Sequence, residues 1–184
     1  MLYGRAGNDW LGVAGVNNAL YGGDNNDWIG ASGSFNNLRG GANDDTLLSI
    51  GANFAYGEAG ADWVGCSGDD NFLFGGAGAD YVAASGQYNV LDGGADNDTL
   101  FAAAGAHDHA TFAFLPYYGT DEAFNFVGAV GDRIDIRGWG IADYAALTPY
   151  LTDTAAGLKI AFDGVNQLTI HDVHALDPSW LIFV

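Results

Sequence analysis

GGDNNDWIG (residues 22–30) and GGAGADYVA (75–83) are two copies of one nonapeptide: a glycine-rich turn, an aspartate, an aromatic or polar residue, then an aliphatic one. The same turn recurs as GRAGND (4–9), GGANDD (40–45), GEAGAD (57–62) and GGADND (93–98), giving six copies about 18 residues apart with a single one-residue slip. The aliphatic positions that follow are Leu11, Ile29, Leu47, Val64, Val82 and Leu100. Six copies in one register are not a chance pattern, and a short repeat at fixed period is the signature of a solenoid.

Weaker nonapeptides lie between these copies. They carry Gly15, Gly33, Gly51, Gly68, Gly86 and Gly105, followed by Asn18, Asn36, Asn53, Asn71, Asn89 and finally Asp108. Their aliphatic positions are Leu20, Leu38, Ala55, Leu73, Leu91 and Ala110. Two nonapeptides therefore make one coil of 18 residues, with two short strands, a carboxylate turn and an amide turn. Stacking the coils places every aspartate turn on one edge and every asparagine turn on the other.

The two edges differ physically. Coils stacked ~4.8 Å apart bring Asp9, Asp27, Asp45, Asp62, Asp80 and Asp98 into a column of like charges. Each contact between ionised neighbours at that spacing costs on the order of 1–4 kcal/mol, depending on the local dielectric. A hard divalent cation reverses the sign, because calcium takes six to eight oxygen ligands. Glycine lets the turn adopt positive φ and bend its carbonyls inward. The asparagine edge needs no cation, since stacked amides can hydrogen-bond to one another and to the turn backbone.

The array resembles the RTX parallel β-roll of serralysin-type proteases, secreted lipases, mannuronan epimerases and pore-forming toxins. The resemblance implies calcium between equivalent turns, held by carbonyl oxygens of repeat positions one, three and five and by the carboxylate at position six. Carried over, the carbonyl donors are Gly4, Ala6 and Asn8, then Gly22, Asp24 and Asn26, then Gly40, Ala42 and Asp44. Gly57, Ala59 and Ala61 follow, then Gly75, Ala77 and Ala79, and last Gly93, Ala95 and Asn97. The six turns leave gaps for about five calcium ions. Arg5 and Glu58 replace the second glycine, and Asn25, Asn43 and Asp96 the third; Asn and Asp tolerate left-handed backbone better than most residues.

Composition agrees. The net charge is −18, with 23 acidic residues against 5 Lys and Arg, in a chain that is 49% hydrophobic. A disordered acidic tail would lack that apolar fraction, so a folded chain with this charge calls for counter-ions. Nucleic acid and anionic membranes are poor partners for it, and no apolar stretch is long enough to span a membrane. The single Cys66 cannot form an internal disulfide, which leaves cross-linking to calcium. Met1-Leu2-Tyr3 offers neither the charged nor the apolar region of a secretory signal peptide and matches Leu20-Tyr21 instead. The chain reads as starting in mid-array, as an excised C-terminal module or a short relative of a longer protein; a complete small protein is the alternative.

From residue 111 the period breaks. TFAFLPYYGTDEAFNFVGAVGDRIDIRGWG (111–140) predicts a strand, a polar loop and a second strand around 133–137. ADYAALTPYL (142–151) has helical spacing limited by Pro149. GLKIAFDGVNQLTIHDV predicts a hairpin about Asp163-Gly164, and ALDPSWLIFV a capped turn running into exposed-looking apolar residues. This stretch is similar to the region after the repeats in serralysins, which implies a cap carrying an uncleaved type I secretion signal, with Asp121 an extra ligand candidate closing the last coil. The expectation is an all-β parallel β-roll (a β-solenoid) over 1–110, followed by a β-rich cap with one or two short helices over 111–184.

Two aromatic columns point outward: Trp10, Trp28, Trp63 and Tyr81 beside Thr46 and Thr99, and Tyr3, Tyr21, Tyr56 and Phe74 beside Arg39 and Asp92. They can shield the sheet, dock another domain or a second copy, or stack on sugar rings. Catalysis finds little footing. H-E-x-x-H and G-x-S-x-G are both missing, and Glu58 and Glu122 have no catalytic context. His107 with His109, and His171 with His174, could bind a transition metal but read as ordinary strand or loop histidines. The functional expectation is a secreted, extracellular calcium-binding module that folds on calcium after type I export. Its alternatives are the tail of a secreted protease, lipase or polysaccharide epimerase with an upstream catalytic domain, or a polysaccharide-binding or adhesive module.

Overall fold

The structure, a computed structural model of the chain, describes residues 1–103, 109–116 and 119–183. Each nonapeptide folds as one short strand and one turn, and successive coils stack in parallel. Strands Leu2–Ala6, Ala19–Asp24, Asn37–Ala42, Phe54–Ala59, Phe72–Ala77 and Val90–Ala95 form one sheet. Trp10–Ala14, Trp28–Ser32, Thr46–Ile50, Trp63–Ser67, Tyr81–Ser85 and Thr99–Ala102 form the other. We call them the tyrosine sheet and the tryptophan sheet after their outward columns.

Register follows the repeat residue by residue. Leu20 pairs with Leu38 and Leu38 with Ala55 on one side; Leu11 pairs with Ile29 and Ile29 with Leu47 on the other. Leu2 and Tyr3 pair with Leu20 and Tyr21, as their spacing requires. The inward residues are buried and form one continuous core between the sheets, each full aliphatic burial contributing roughly 1.5–3 kcal/mol.

The one-residue slip is absorbed on the asparagine edge. Other amide turns hold a left-handed residue after glycine: Asn17, Phe35, Asp70 and Tyr88, with φ of 58–59°. The turn at residues 51–53 lacks this residue, so it shortens without shifting either strand. The aspartate column keeps its register throughout.

Turn positions two and four are left-handed in every aspartate turn. Arg5 (φ 87°) and Glu58 (φ 82°) hold position two, and Asn25, Asn43 and Asp96 hold position four. A side chain there costs roughly 1–2 kcal/mol, and Gly23 and Gly60 avoid that cost at the same positions.

The parallel ladders continue where the repeat ends. Thr111–Ala113, Arg133–Asp135 and Leu181–Ile182 extend the tyrosine sheet. Thr120–Phe124 and Gln167–His171 extend the tryptophan sheet. Gly157–Ala161 and Leu151–Asp153 then add antiparallel to its end, the first forming the hairpin with Gln167–His171. The helical stretch is one short helix, Tyr144–Leu147, capped by Asp143 and followed by a 3-10 turn at Thr148–Tyr150. Two expectations change. The residue stacked on Leu91 is Phe112 rather than Ala110, because the connection after Thr99–Ala102 is longer than a nonapeptide. The C-terminal apolar residues are not simply exposed: Leu181 is buried and its strand pairs with Arg133–Asp135. No helix among the described residues is long and apolar enough to cross a membrane.

Candidate metal centre

Both edges use the same ladder, and one atom separates them. On the asparagine edge the backbone N–H of Asn18 donates to Asn36 Oδ1 at 3.0 Å, Asn36 to Asn53 at 2.9 Å, Asn53 to Asn71 at 2.8 Å and Asn71 to Asn89 at 2.9 Å. The side-chain Nδ2 is also used. Asn36 Nδ2 donates to Asn53 Oδ1 and to the Gly15 carbonyl, and Asn71 Nδ2 to Asn89 Oδ1 and the Gly68 carbonyl. These amide rungs satisfy themselves, and only at the end of the ladder, at Asn89, is a buried Nδ2 left unpaired.

On the aspartate edge the N–H of Asp9 donates to Asp27 Oδ1 at 2.8 Å, Asp27 to Asp45 and Asp45 to Asp62 at 2.7 Å, then Asp62 to Asp80 and Asp80 to Asp98 at 2.8 Å. Oδ2 now stands where the amide had its NH2, and it cannot donate. Oδ2 of Asp9, Asp27, Asp45, Asp62, Asp80 and Asp98 is buried without a hydrogen-bond partner in every case. Buried polar atoms are nearly always paired, so six orphans at one repeat position require an explanation.

The glycines show what surrounds those oxygens. A Cβ built on Gly4 would sit 2.5 Å from Asp9 Oδ2 and 2.7 Å from the carbonyl oxygen of Gly22, one coil on. The same two atom types converge on Gly22 (Asp27, Gly40), Gly40 (Asp45, Gly57), Gly57 (Asp62, Gly75) and Gly75 (Asp80, Gly93). At Gly93 the three nearest atoms all belong to Asp98. Each of these five gaps therefore gathers an anionic oxygen and a carbonyl oxygen around a spot that any side chain at position one would fill.

The other position-five and position-six residues line a cleft along this edge, including Asp44, Ala61, Ala79 and Asn97. Position three is already partly engaged: the carbonyls of Asp24, Ala77 and Ala95 accept from the N–H of Gly7, Gly60 and Gly78. One lone pair remains on each. Ala6, Ala42 and Ala59 hold position three in the other turns, and Asn8 and Asn26 hold position five in the first two.

Burial makes the carboxylates hard to ionise. Desolvation, only partly offset by the donated N–H, pushes Asp45 and Asp80 up to about 7 and Asp62 and Asp98 up to about 6; neighbouring carboxylates add to the rise. Asp27 moves the same way. Asp121 closes the column: it is buried, accepts the Asp98 N–H at 3.0 Å, and is raised to about 7 by the same desolvation. Asp132, which sequence reading missed, closes the other edge by accepting the N–H groups of Ala110 and Val127. Only its place after the last amide turn could have signalled this.

An oxygen-only donor set with excess negative charge suits a hard cation such as calcium. Among the described residues no three His, Cys, Asp or Glu side chains gather as a metal site, and the donor that the gaps present beside each carboxylate is a backbone carbonyl. The described histidines have separate partners. His171 faces Glu122 at 3.5 Å, and His174 Nδ1 lies 2.6 Å from Asp153. His109 packs against Tyr88, while Gly105, His107 and Asp108 lie outside the described residues.

A family model for the RTX calcium-binding nonapeptide repeat matches in four copies, at residues 21–49, 49–73, 67–91 and 74–106. The chain contains an RTX repeat domain. Among solved structures, extracellular lipase LipA from Serratia marcescens is similar at 16% identity and a TM-score of 0.51. The match covers 90% of this chain and 40% of the lipase chain, and it speaks to the fold alone. No curated protein matches the chain. RTX repeats bind calcium.

Proposed function

We propose that this chain is the calcium-dependent folding module of a secreted protein, taking about five calcium ions along the aspartate edge. One observation carries the reading: from Asn18 to Asn71 every amide rung pairs its own Nδ2, and the carboxylate ladder leaves one buried Oδ2 unpaired in every coil. The ligands would be the Asp9, Asp27, Asp45, Asp62 and Asp80 carboxylates with turn carbonyls at positions one, three and five. Calcium, when bound, supplies the positive charge and high oxygen coordination that the edge lacks.

The chain's own residues do the rest. Where calcium is scarce, desolvated carboxylates and glycine-rich turns oppose the roll and keep the chain extended enough for export. Outside the cell the turns close, beginning at the C-terminal end. Support for that polarity is the larger core there, where Phe112, Phe114, Ile134 and Ile136 are fully buried. The segment over 111–184 caps the last coil and carries the type I export signal.

This module binds and folds rather than catalyses. A longer parent with an upstream protease, lipase or epimerase domain fits the same reading, since the chain spans only 40% of the lipase it resembles. The test is a count of bound calcium by equilibrium dialysis on the folded chain. About five tightly held ions per chain support the proposal; one or none overturns it. Deleting residues 180–184 should abolish export through a type I apparatus, and unchanged export would remove that part.

A further inference from the structure

The two outward aromatic columns differ in how their rings meet. On the tyrosine sheet they stack face to face: Tyr3 on Tyr21 at 10°, Phe54 on Phe72 at 9°, and Tyr56 on Phe74 at 3°. Each ring there spends its face on its neighbour. On the tryptophan sheet Trp10 tilts 49° to Trp28, and Trp63 meets Tyr81 edge-on at 82°. Those pairs leave ring faces uncovered, and Trp10 and Trp63 are 79% and 54% exposed.

A second regularity accompanies the tilt. Each of the three tryptophans on this sheet is followed two residues later, on the same face, by glycine: Trp10 by Gly12, Trp28 by Gly30, Trp63 by Gly65. Tyr81 is followed by Ala83. Where the aromatic is missing the partner is large: Thr46 with Leu48, Thr99 with Phe101. At the second coil the glycine seats the ring: a Cβ on Gly30 would lie 2.5 Å from Trp28 Cη2. Nothing lies within 4 Å of the same point on Gly12, and at Gly65 the nearest indole atom is Trp63 Nε1 at 3.6 Å. Small residues at these positions keep the face low beside the rings. The result is a shallow apolar groove of about 890 Å³ along the roll axis, with Ser32, Ser67 and Ser85 on its far flank.

We propose that this groove is a platform for an uncharged, linear polysaccharide. The uncharged part of this sheet is long and narrow: six strands ~4.8 Å apart and five residues long, before the strands at Thr120–Phe124 and Gly157–Ala161 continue it with Glu122 and Lys159. That strip is wide enough for one slim polymer. Charge sets its class: the outward residues of this face are uncharged while the chain carries −18, which repels polyanions. Spacing sets its direction. Coils rise ~4.8 Å, close to the advance of one pyranose unit, so a chain lying along the axis would meet two ring pairs with a gap at Thr46. Aromatic faces receive sugar C–H groups, and flanking hydroxyls receive the sugar hydroxyls.

This inference needs only the folded roll, so it stands apart from the calcium count. The test is affinity electrophoresis in calcium, in gels containing hydroxyethylcellulose, mixed-linkage β-glucan or galactomannan, with polygalacturonate as the anionic control. Far-UV circular dichroism and solution mass are measured for each variant. The expected result is retardation by at least one neutral polymer, weakened about tenfold or more by Trp28→Ala or Trp63→Ala and also by Gly30→Val, which keeps the indole but unseats it. Phe54→Ala on the other sheet should leave binding within about twofold. Absence of retardation in all three neutral gels overturns the proposal. So does retardation by polygalacturonate alone, or a dimer mass that Trp63→Ala converts to monomer.

Discussion

Replacing Asp62 with asparagine turns one carboxylate rung into the amide rung that the opposite edge already displays. Oδ1 would still accept the Asp45 N–H, now 2.7 Å long, and only the orphan Oδ2 becomes an NH2. In chelator near pH 7.5 the substitution should stabilise the roll. Asp62 is 3% exposed and desolvation lifts its carboxyl from 3.8 to about 6, so holding it ionised in the fold costs on the order of 2–3 kcal/mol. In about 10 mM calcium the wild-type chain gains RT ln(1 + [Ca]/Kd) from the gap between the turns at 57–62 and 75–80. For a Kd of roughly 0.1–1 mM, as in extracellular modules, that is about 1.4–2.7 kcal/mol. The variant forgoes this gain, so its advantage in chelator should shrink to near zero in calcium. The assay is urea unfolding followed by far-UV circular dichroism, with an osmolyte in both series to bring the metal-free transition into range. A variant less stable than wild type in chelator, or stabilised by calcium as much as wild type, would refute the reasoning.

Other consequences can be checked alongside. Gly57→Ala puts a methyl group against Asp62 Oδ2 and the Gly75 carbonyl, so calorimetry should count one calcium fewer while the other gaps still fill. Acid should stand in for calcium. The carboxyls of Asp45, Asp62, Asp80 and Asp98 sit at about 6–7 in the fold against 3.8 unfolded, so the stability they contribute without metal is full below about pH 4 and is lost as pH rises through 6–7. Circular dichroism of the chelated chain should therefore show β structure growing on acidification, and the opposite trend would contradict the desolvation argument. Asn71→Ala removes a fully buried amide that accepts one N–H and donates to Asn89 and the Gly68 carbonyl. It should cost about 2–4 kcal/mol with no change in calcium stoichiometry.

The repeat made the coil legible before any coordinates, because a side chain that recurs every 18 residues must stack on its own copy. Leu20 on Leu38 and Asp27 on Asp45 follow from spacing alone. The orphan status of Oδ2 did not follow, since it depends on Oδ1 taking the single available N–H and on glycine closing the gap around the second oxygen. The slip at residues 51–53 was visible as a missing residue, but only backbone angles show that a left-handed position was deleted and both ladders spared. Beyond residue 110 the period no longer helps. Phe112 displaced Ala110 on Leu91, and Leu181 returned to pair with Ile134, because nonlocal packing rather than repetition decides those contacts. The tryptophan–glycine pairing was written in the sequence, yet its meaning depended on the angles between rings.

The central claim is that near neutral pH the aspartate edge cannot close without a divalent cation. A calcium titration of the chelated chain near pH 7.5, followed by far-UV circular dichroism with magnesium in parallel, tests it most directly. The account predicts a cooperative gain of β structure with calcium, near the millimolar range of extracellular modules, and little response to magnesium. A β-rich spectrum that survives exhaustive chelation unchanged would contradict it, and would mean that the amide ladder and the apolar core hold the roll by themselves.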